Sequence, residues 1–232
     1  MKRILGVLGG MGPLATVDFM RKVIELTPVS RDQDHVPLIV YSIPQVPDRT
    51  QSILGDGESP LPVMLEGLRV LENSGVGRIA IPCNTAHHWF DAMARECGVE
   101  LLHIADCACA ALERRGGGEG PVGLLSTAGT IAAGIYQNRL LQRGYDCLVP
   151  AAADMETLVS EGIRLVKAGK VDDARTCLGK AAANLRRRGA RTIVLGCTEI
   201  PVALDDRDAG YVDATEALAE AGVRWYFDQP GN

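Results

Sequence analysis

The sequence predicts an α/β protein of two similar lobes, each a central, mostly parallel sheet flanked by helices, with the active site in the cleft between them. Three observations carry this expectation. Short aliphatic and β-branched runs alternate with longer helix-like stretches, the pattern of βαβ units. The 232 residues suffice for one large α/β domain or two of about 100 residues each. Two features also recur at nearly one spacing. GVLGGMGPLAT from Gly6 is matched by GLLSTAGTIAA from Gly123, and IAIPCNTAHH around Cys83 by IVLGCTEIP around Cys197, offsets of 117 and 114 residues.

Taken in order, buried parallel strands are expected at 3–9, 36–42, 77–82, 100–104, 121–126, 145–149 and 192–196, each a short apolar run bounded by turn residues. Helical patterns fall at about 14–28, 60–74, 86–97, 106–115, 130–142, 155–168, 171–188 and 213–224. The run Gly116-Gly117-Gly118, followed by Glu119 and Gly120, is the strongest internal punctuation and precedes a fresh strand–turn–helix start. The expected lobes are residues 1–102 plus 210–232, and residues 103–209.

Composition narrows the function. The apolar fraction of 47% and charged fraction of 23% are ordinary for a globular chain. A net charge of −5 gives no global basic footprint, so nucleic acid is not an expected partner. Arg186-Arg187-Arg188 reads as a solvated helix end complementing the dipole. No apolar run approaches the roughly 20 residues that span a bilayer. Lys2 and Arg3 precede a segment that meets glycines at once and lacks a small-residue cleavage site, so the chain is expected to start at Met1 in the cytoplasm. Seven cysteines are present with no C-x-x-C and no zinc spacing, so neither a metal site nor a disulfide framework is expected.

Gly10-Met11-Gly12-Pro13-Leu14-Ala15 fits the G-x-G-x-x-A turn that holds a dinucleotide pyrophosphate. Such a turn needs an acidic residue about 20 positions on, at the end of the next strand. The strand in VPLIVYSIPQ ends without one, with Asp32 and Asp34 lying before it, and Pro13 interrupts the pattern where the helix begins. The loop is therefore expected to serve a smaller anion, a substrate carboxylate.

The repeated cysteines carry the chemistry. Cys83-Asn84-Thr85 and Cys197-Thr198-Glu199 each follow a buried-looking strand, where open α/β sheets place ligand groups. The Asn and Thr side chains beside them offer amide and hydroxyl donors. Turn N–H groups favour an anion, whether thiolate or carboxylate. Two thiols facing across a cleft suit proton transfer at a carbon centre, one removing the α-proton and the other delivering a proton to the opposite face. Amino-acid α-carbons are weak acids, so converging donors on the carboxylate must supply much of the stabilisation.

Together GGMGPLAT at 9–16, PDRT at 47–50, PCNTAH at 82–87, KAG at 167–169 and GCTEIP at 196–201 resemble the aspartate/glutamate racemase family, amino-acid racemases that work without pyridoxal phosphate. The resemblance implies a cofactor-independent racemase acting on aspartate or glutamate, with Cys83 and Cys197 as opposed acid/base groups. It implies that Asn84, Thr85 and Thr198 hold the α-carboxylate and amine, and that Gly10 and Met11 line the pocket. Ser126, Thr127 and Thr130 form the matching loop of the second lobe. Arg49 is implied as the contact for the distal carboxylate, in a segment (44–62) able to close as a lid, with Gln51 assisting. Lys167 is implied as a second basic contact. Glu199 is positioned to tune Cys197 or to sit in the capping turn, and His87 and His88 are read as structural. Relatives of this kind are commonly dimeric, so a homodimer is expected. The alternatives are a broader amino-acid or hydantoin racemase, or a maleate isomerase using one cysteine as nucleophile. The PDRT arginine weighs against hydantoins, whose ring lacks a free distal carboxylate. A nucleotide-binding or small-molecule-sensing module is the remaining competitor.

Overall fold

The computed structural model describes residues 3–55, 57–117, 120–204 and 210–228; Gly118 and Glu119 of the glycine run lie outside them. The first half runs β1 (Leu5–Gly9), α1 (Pro13–Leu26), β2 (Leu38–Ser42), α2 (Arg49–Leu54), α3 (Leu61–Asn73) and β3 (Arg78–Ala80). A 3₁₀ turn (Thr85–Trp89) then leads into α4 (Phe90–Glu96), β4 (Leu101–Leu102) and α5 (Ile104–Arg114). The second half runs β5 (Val122–Ser126), α6 (Ala128–Ala132), α7 (Gln137–Gln142), β6 (Cys147–Leu148) and α8 (Ala152–Asp154). A π-helical stretch (Met155–Ser160) is followed by α9 (Glu161–Lys167), α10 (Val171–Arg187), β7 (Thr192–Gly196), α11 (Ile200–Ala203), β8 (Tyr211–Asp213) and α12 (Ala214–Phe227).

The strands form two parallel four-stranded sheets of matching order, β2-β1-β3-β4 and β6-β5-β7-β8. β1 and β5 are buried at every residue, as unbroken aliphatic strands covered on both faces should be. Their equivalent glycines sit in equivalent packing. A Cβ at Gly6 would lie 3.0 Å from Val76 Cγ2, and one at Gly123 would lie 3.0 Å from Ile193 Cγ1. One buried cluster joins the sheets: Leu5 and Val7 of β1 share it with Leu124 of β5, Val194 of β7, and apolar faces of α5 and α12.

Three elements depart from the expectation. Tyr211–Asp213, assigned from sequence to the first lobe, pairs as β8 with β7 and completes the second sheet. Only the helix after it, α12, reaches back to pack on α1 and α5. Three residues are too few to show a strand period, which is why the sequence hid β8. The expected helix 130–142 is two helices broken around Gly134, whose φ of +65° ends α6. The expected 44–62 loop contains α2, capped by the Asp48 side chain accepting from Gln51 N–H at 2.9 Å. Asp48-x-x-Gln51 is a sequence-level capping signature. α2 packs on α6 of the other half so tightly that a Cβ at Gly129 would lie 2.9 Å from Thr50 Cα.

Candidate active site

The C-terminal ends of β1 and β3 in one sheet and of β5 and β7 in the other converge on a small cavity of about 30 Å³. Cys83 enters it from beyond β3 and Cys197 from beyond β7, both 4% exposed. Met11, Arg49, Asn84, Thr85, Thr127, Lys167, Thr198 and Glu199 complete the predicted residues in its wall, and Asp48 and Thr50 join them without having been foreseen. A larger cleft of about 510 Å³ adjoins it, sharing Asp48, Arg49, Lys167 and Glu199 and otherwise lined by Gly10, Gly12, Pro13, Leu14, Pro44, Val46 and Val166.

Some predicted residues stand elsewhere. Gly10 lines only the outer cleft, and its N–H donates to Thr16 Oγ1 at 2.8 Å, so that donor is not free for an anion. Its φ of +92° and a Cβ that would fall 2.3 Å from the Ile43 backbone nitrogen explain why glycine is needed there. Gln51 is exposed on α2 and absent from the cavity wall. Ser126 is fully buried behind the site, donating to the Gly196 carbonyl. Thr130 lies one layer back: its hydroxyl bonds Thr85 Oγ1 at 2.9 Å and Thr127 Oγ1 at 3.0 Å, while Thr85 and Thr127 are 2.9 Å apart. These three hydroxyls tie the Cys83 turn to the α6 turn of the other half.

Two donors are left without partners. Arg49 donates from Nη1 to the Val46 and Pro47 carbonyls (both 3.0 Å) and from Nη2 to the Met11 carbonyl (3.2 Å), yet its Nε is buried and unbonded. Asn84 Nδ2 is likewise buried and unbonded, while its Oδ1 accepts from Tyr136 Oη. A buried orphan donor costs about 1–3 kcal/mol, so two among the residues of one wall suit an acceptor placed there.

The cysteines differ in surroundings. Cys197 Sγ donates to Glu199 Oε2 at 3.1 Å, and Thr198 Oγ1 reaches the same oxygen at 3.3 Å. Burial, then the Glu199 charge, holds the Cys197 thiol well above its ordinary range, with Lys167 opposing. Cys83 is braced through its backbone. Ile104 N–H donates to His87 Nε2 at 3.1 Å, so His87 Nδ1 carries the proton and donates to the Cys83 carbonyl at 2.8 Å. Burial pushes His87 down to about 4, which makes it a neutral strut rather than an acid; His88 is exposed. The other cysteines fit a packing role: burial pushes Cys107 up to about 12 and Cys109 and Cys147 up to about 11.

His87 gives a stability prediction. A histidine whose folded pKa is depressed favours the fold fully above about 6.5 and loses that contribution as pH falls toward about 4. Urea unfolding at pH 7 and pH 4 should differ by about 3 kcal/mol from this residue alone, and His87→Gln should shrink the difference by about that much, leaving the share of His103, which burial also pushes down to about 2. An unchanged slope in that variant would show that His87 titrates normally.

The fold and its cavity define a class: two-lobed parallel α/β proteins that bring one strand-end cysteine from each sheet to a shared polar pocket. The chain belongs to the Asp/Glu/hydantoin racemase family, whose model matches residues 8–222, and it is thereby an isomerase of the racemase type. It is 32% identical to the aspartate racemase of Picrophilus torridus, with a TM-score of 0.86 over 97% of this chain and 94% of that one. A broad-specificity amino-acid racemase of Bacillus subtilis is 27% identical over 96% of this chain and 98% of its own length. The glutamate racemase of Campylobacter jejuni shares the fold, with a TM-score of 0.66 at 20% identity over 94% of this chain and 83% of that one. No helix among the described residues is long and apolar enough to cross a membrane.

Proposed function

We propose that the protein interconverts the L and D forms of an acidic amino acid, aspartate or glutamate, by two-base proton transfer between Cys83 and Cys197 without a cofactor. The observation that carries this is the shared cavity: each sheet contributes one cysteine, and the wall between them holds unbonded donors. Asn84 Nδ2, with Thr85 and Thr198, takes the α-carboxylate, and Arg49 Nε takes the distal carboxylate in the geometry guanidinium groups favour. Lys167 adds a second positive charge at the mouth. As the α-proton leaves, charge grows on the α-carboxylate, and donors fixed in a dry pocket stabilise it without reorganising.

Cys197 rests as a thiol bonded to Glu199 and serves as the acid, while Cys83 is the base for the enantiomer whose α-hydrogen faces it. A pocket of about 30 Å³ holds no more than a water or two. Admission of substrate therefore requires α2 to withdraw from α6, opening the inner pocket to the outer cleft. This is the lid role expected of 44–62, carried by a docked helix. We further read the protein as a cytoplasmic homodimer; exposed Leu14, Val17 and Ile24 on one face of α1 supply a suitable surface, and light scattering tests it.

The broad-specificity relative supports a second reading, racemisation of several amino acids. A chiral assay across the proteinogenic amino acids, without added cofactor and in deuterated solvent, separates the two. Turnover confined to aspartate or glutamate with α-deuterium uptake is the expected result, and no turnover of any amino acid would sink the proposal. Glu199→Gln removes a negative charge 3.1 Å from Cys197 Sγ. The Cys197 thiol should then ionise at lower pH, read as the pH dependence of iodoacetamide labelling of its peptide. An unshifted profile would remove Glu199 from the mechanism.

A further inference from the structure

Tyr136 stands outside the cavity wall and touches both cysteine turns. Its side chain is fully buried in the cluster that joins the two sheets. Its hydroxyl donates to Asn84 Oδ1, one residue after Cys83. On its other side it crowds Gly196, one residue before Cys197: a Cβ there would lie 3.1 Å from Tyr136 Cε2 and 2.8 Å from Leu124 Cδ1. Ser126 anchors the same Gly196 through its carbonyl.

The hydroxyl resolves an ambiguity built into asparagine. The oxygen and NH₂ of a primary amide are nearly equal in size and exchange places by rotation about one bond. With the amide turned the other way, the buried phenol proton would face an N–H donor and lose its acceptor. Burial holds the phenol well above its ordinary range, so that proton stays on. The oxygen is thereby fixed toward Tyr136, and the unbonded Nδ2 is left as the amide atom available to the cavity that Asn84 lines.

We propose that Tyr136 is a positioning residue for racemisation: it selects the Asn84 amide orientation that presents NH₂ to the substrate carboxylate and sets the spacing of the two cysteine turns. This rests on the racemase reading above. Tyr136 stands outside the cavity wall, so the effect of its hydroxyl must pass through Asn84.

The test is a double-variant cycle on the full chain with L-aspartate and L-glutamate. Tyr136→Phe keeps the ring and should lower kcat/KM about tenfold to hundredfold, with kcat falling as well as KM rising, because the carboxylate gains charge in the transition state. In an Asn84→Ala background the same change should cost less than about twofold, since the group it orients is gone. Losses that multiply, or a Tyr136→Phe enzyme within about twofold of wild type, would overturn the proposal. The Asn84 side-chain amide resonances, assigned by their loss in Asn84→Ala, give a readout independent of turnover. They should be a single slowly exchanging pair in wild type and should shift or broaden in Tyr136→Phe. If the wild type racemises nothing, the functional reading fails, while an unmoved amide pair separately overturns the positioning role. Should Tyr136→Phe fail to fold, Asn84→Asp keeps an acceptor for the phenol but has no NH₂. Retained thermal stability with kcat/KM down more than about a hundredfold supports the proposal, and retained activity overturns it.

Discussion

Alanine at either Cys83 or Cys197 is expected to lower racemisation about 10²–10⁴-fold, the range for losing a positioned acid or base, with the fold retained. Both thiols are small, buried groups at strand ends, so their truncation leaves the sheets paired as before. The two variants should still differ in isotope exchange. With Cys83 gone, Cys197 can remove and return a proton on one face only, so solvent deuterium enters one enantiomer without inversion. With Cys197 gone, the other enantiomer should exchange. Because enantiomers have equal free energy, kcat/KM must match in the two directions at every pH. The inequality between a thiol bonded to Glu199 and one braced through its backbone therefore emerges in kcat and in exchange. Racemisation within tenfold of wild type in either variant would rule out the two-base scheme, and exchange of both enantiomers in a single-cysteine variant would show that another base serves the second face.

Much of this site was legible because chemistry and topology coincide in the sequence. Cys83 and Cys197 sit at matching strand ends of a repeated unit, and parallel sheets put those ends on one side. Polar neighbours of a strand-end cysteine, such as Asn84 and Thr198, follow from that placement. What stayed hidden depends on contacts between residues far apart in sequence. Nothing near Gly10 says that its N–H is already taken by Thr16, whose hydroxyl returns one helical turn later. Gln51 is adjacent to the PDRT segment, yet α2 turns it outward while keeping Asp48, Arg49 and Thr50 inward. Asp48 was within reach, since its capping signature with Gln51 marks a helix start where a loop was expected. Tyr136 was not: it lies 52 residues from Asn84 and 60 from Gly196, and no local pattern announces a contact across two sheets. The lobe boundary was hidden for the same reason, because the chain crosses from the second sheet to the first between β8 and α12.

That crossing is where the largest stability effect is expected. Lys22 on α1 is 4% exposed, and its Nζ pairs with Asp18 Oδ2 at 2.5 Å and Asp213 Oδ2 at 2.6 Å. Asp213 Oδ1 in turn accepts from the N–H groups of Thr215 and Glu216, capping α12. One cation thus locks the first helix of the first half to the strand–helix junction that closes the second sheet. Lys22→Met keeps the aliphatic stem but leaves two half-desolvated carboxylates facing each other, a loss of about 3–5 kcal/mol for breaking a buried ionic cluster. For a chain of this size that lowers Tm by roughly 6–20 °C. The sign with pH follows from the lysine. Burial works to lower its pKa, but Asp213 and then Asp18 outweigh burial and raise it. Its contribution is therefore complete below about 10.5 and disappears only as pH climbs through the higher folded value, so wild type and Lys22→Met should converge in alkaline solution. Adding Asp18→Asn and Asp213→Asn to Lys22→Met should recover part of the loss by removing the unpaired charges, although Asn is a weaker cap partner than a carboxylate at an N-terminus. A Tm within about 2 °C of wild type in the single variant would mean that water already reaches the cluster, and that the packing of α12 on α1 and α5 holds the halves together without it.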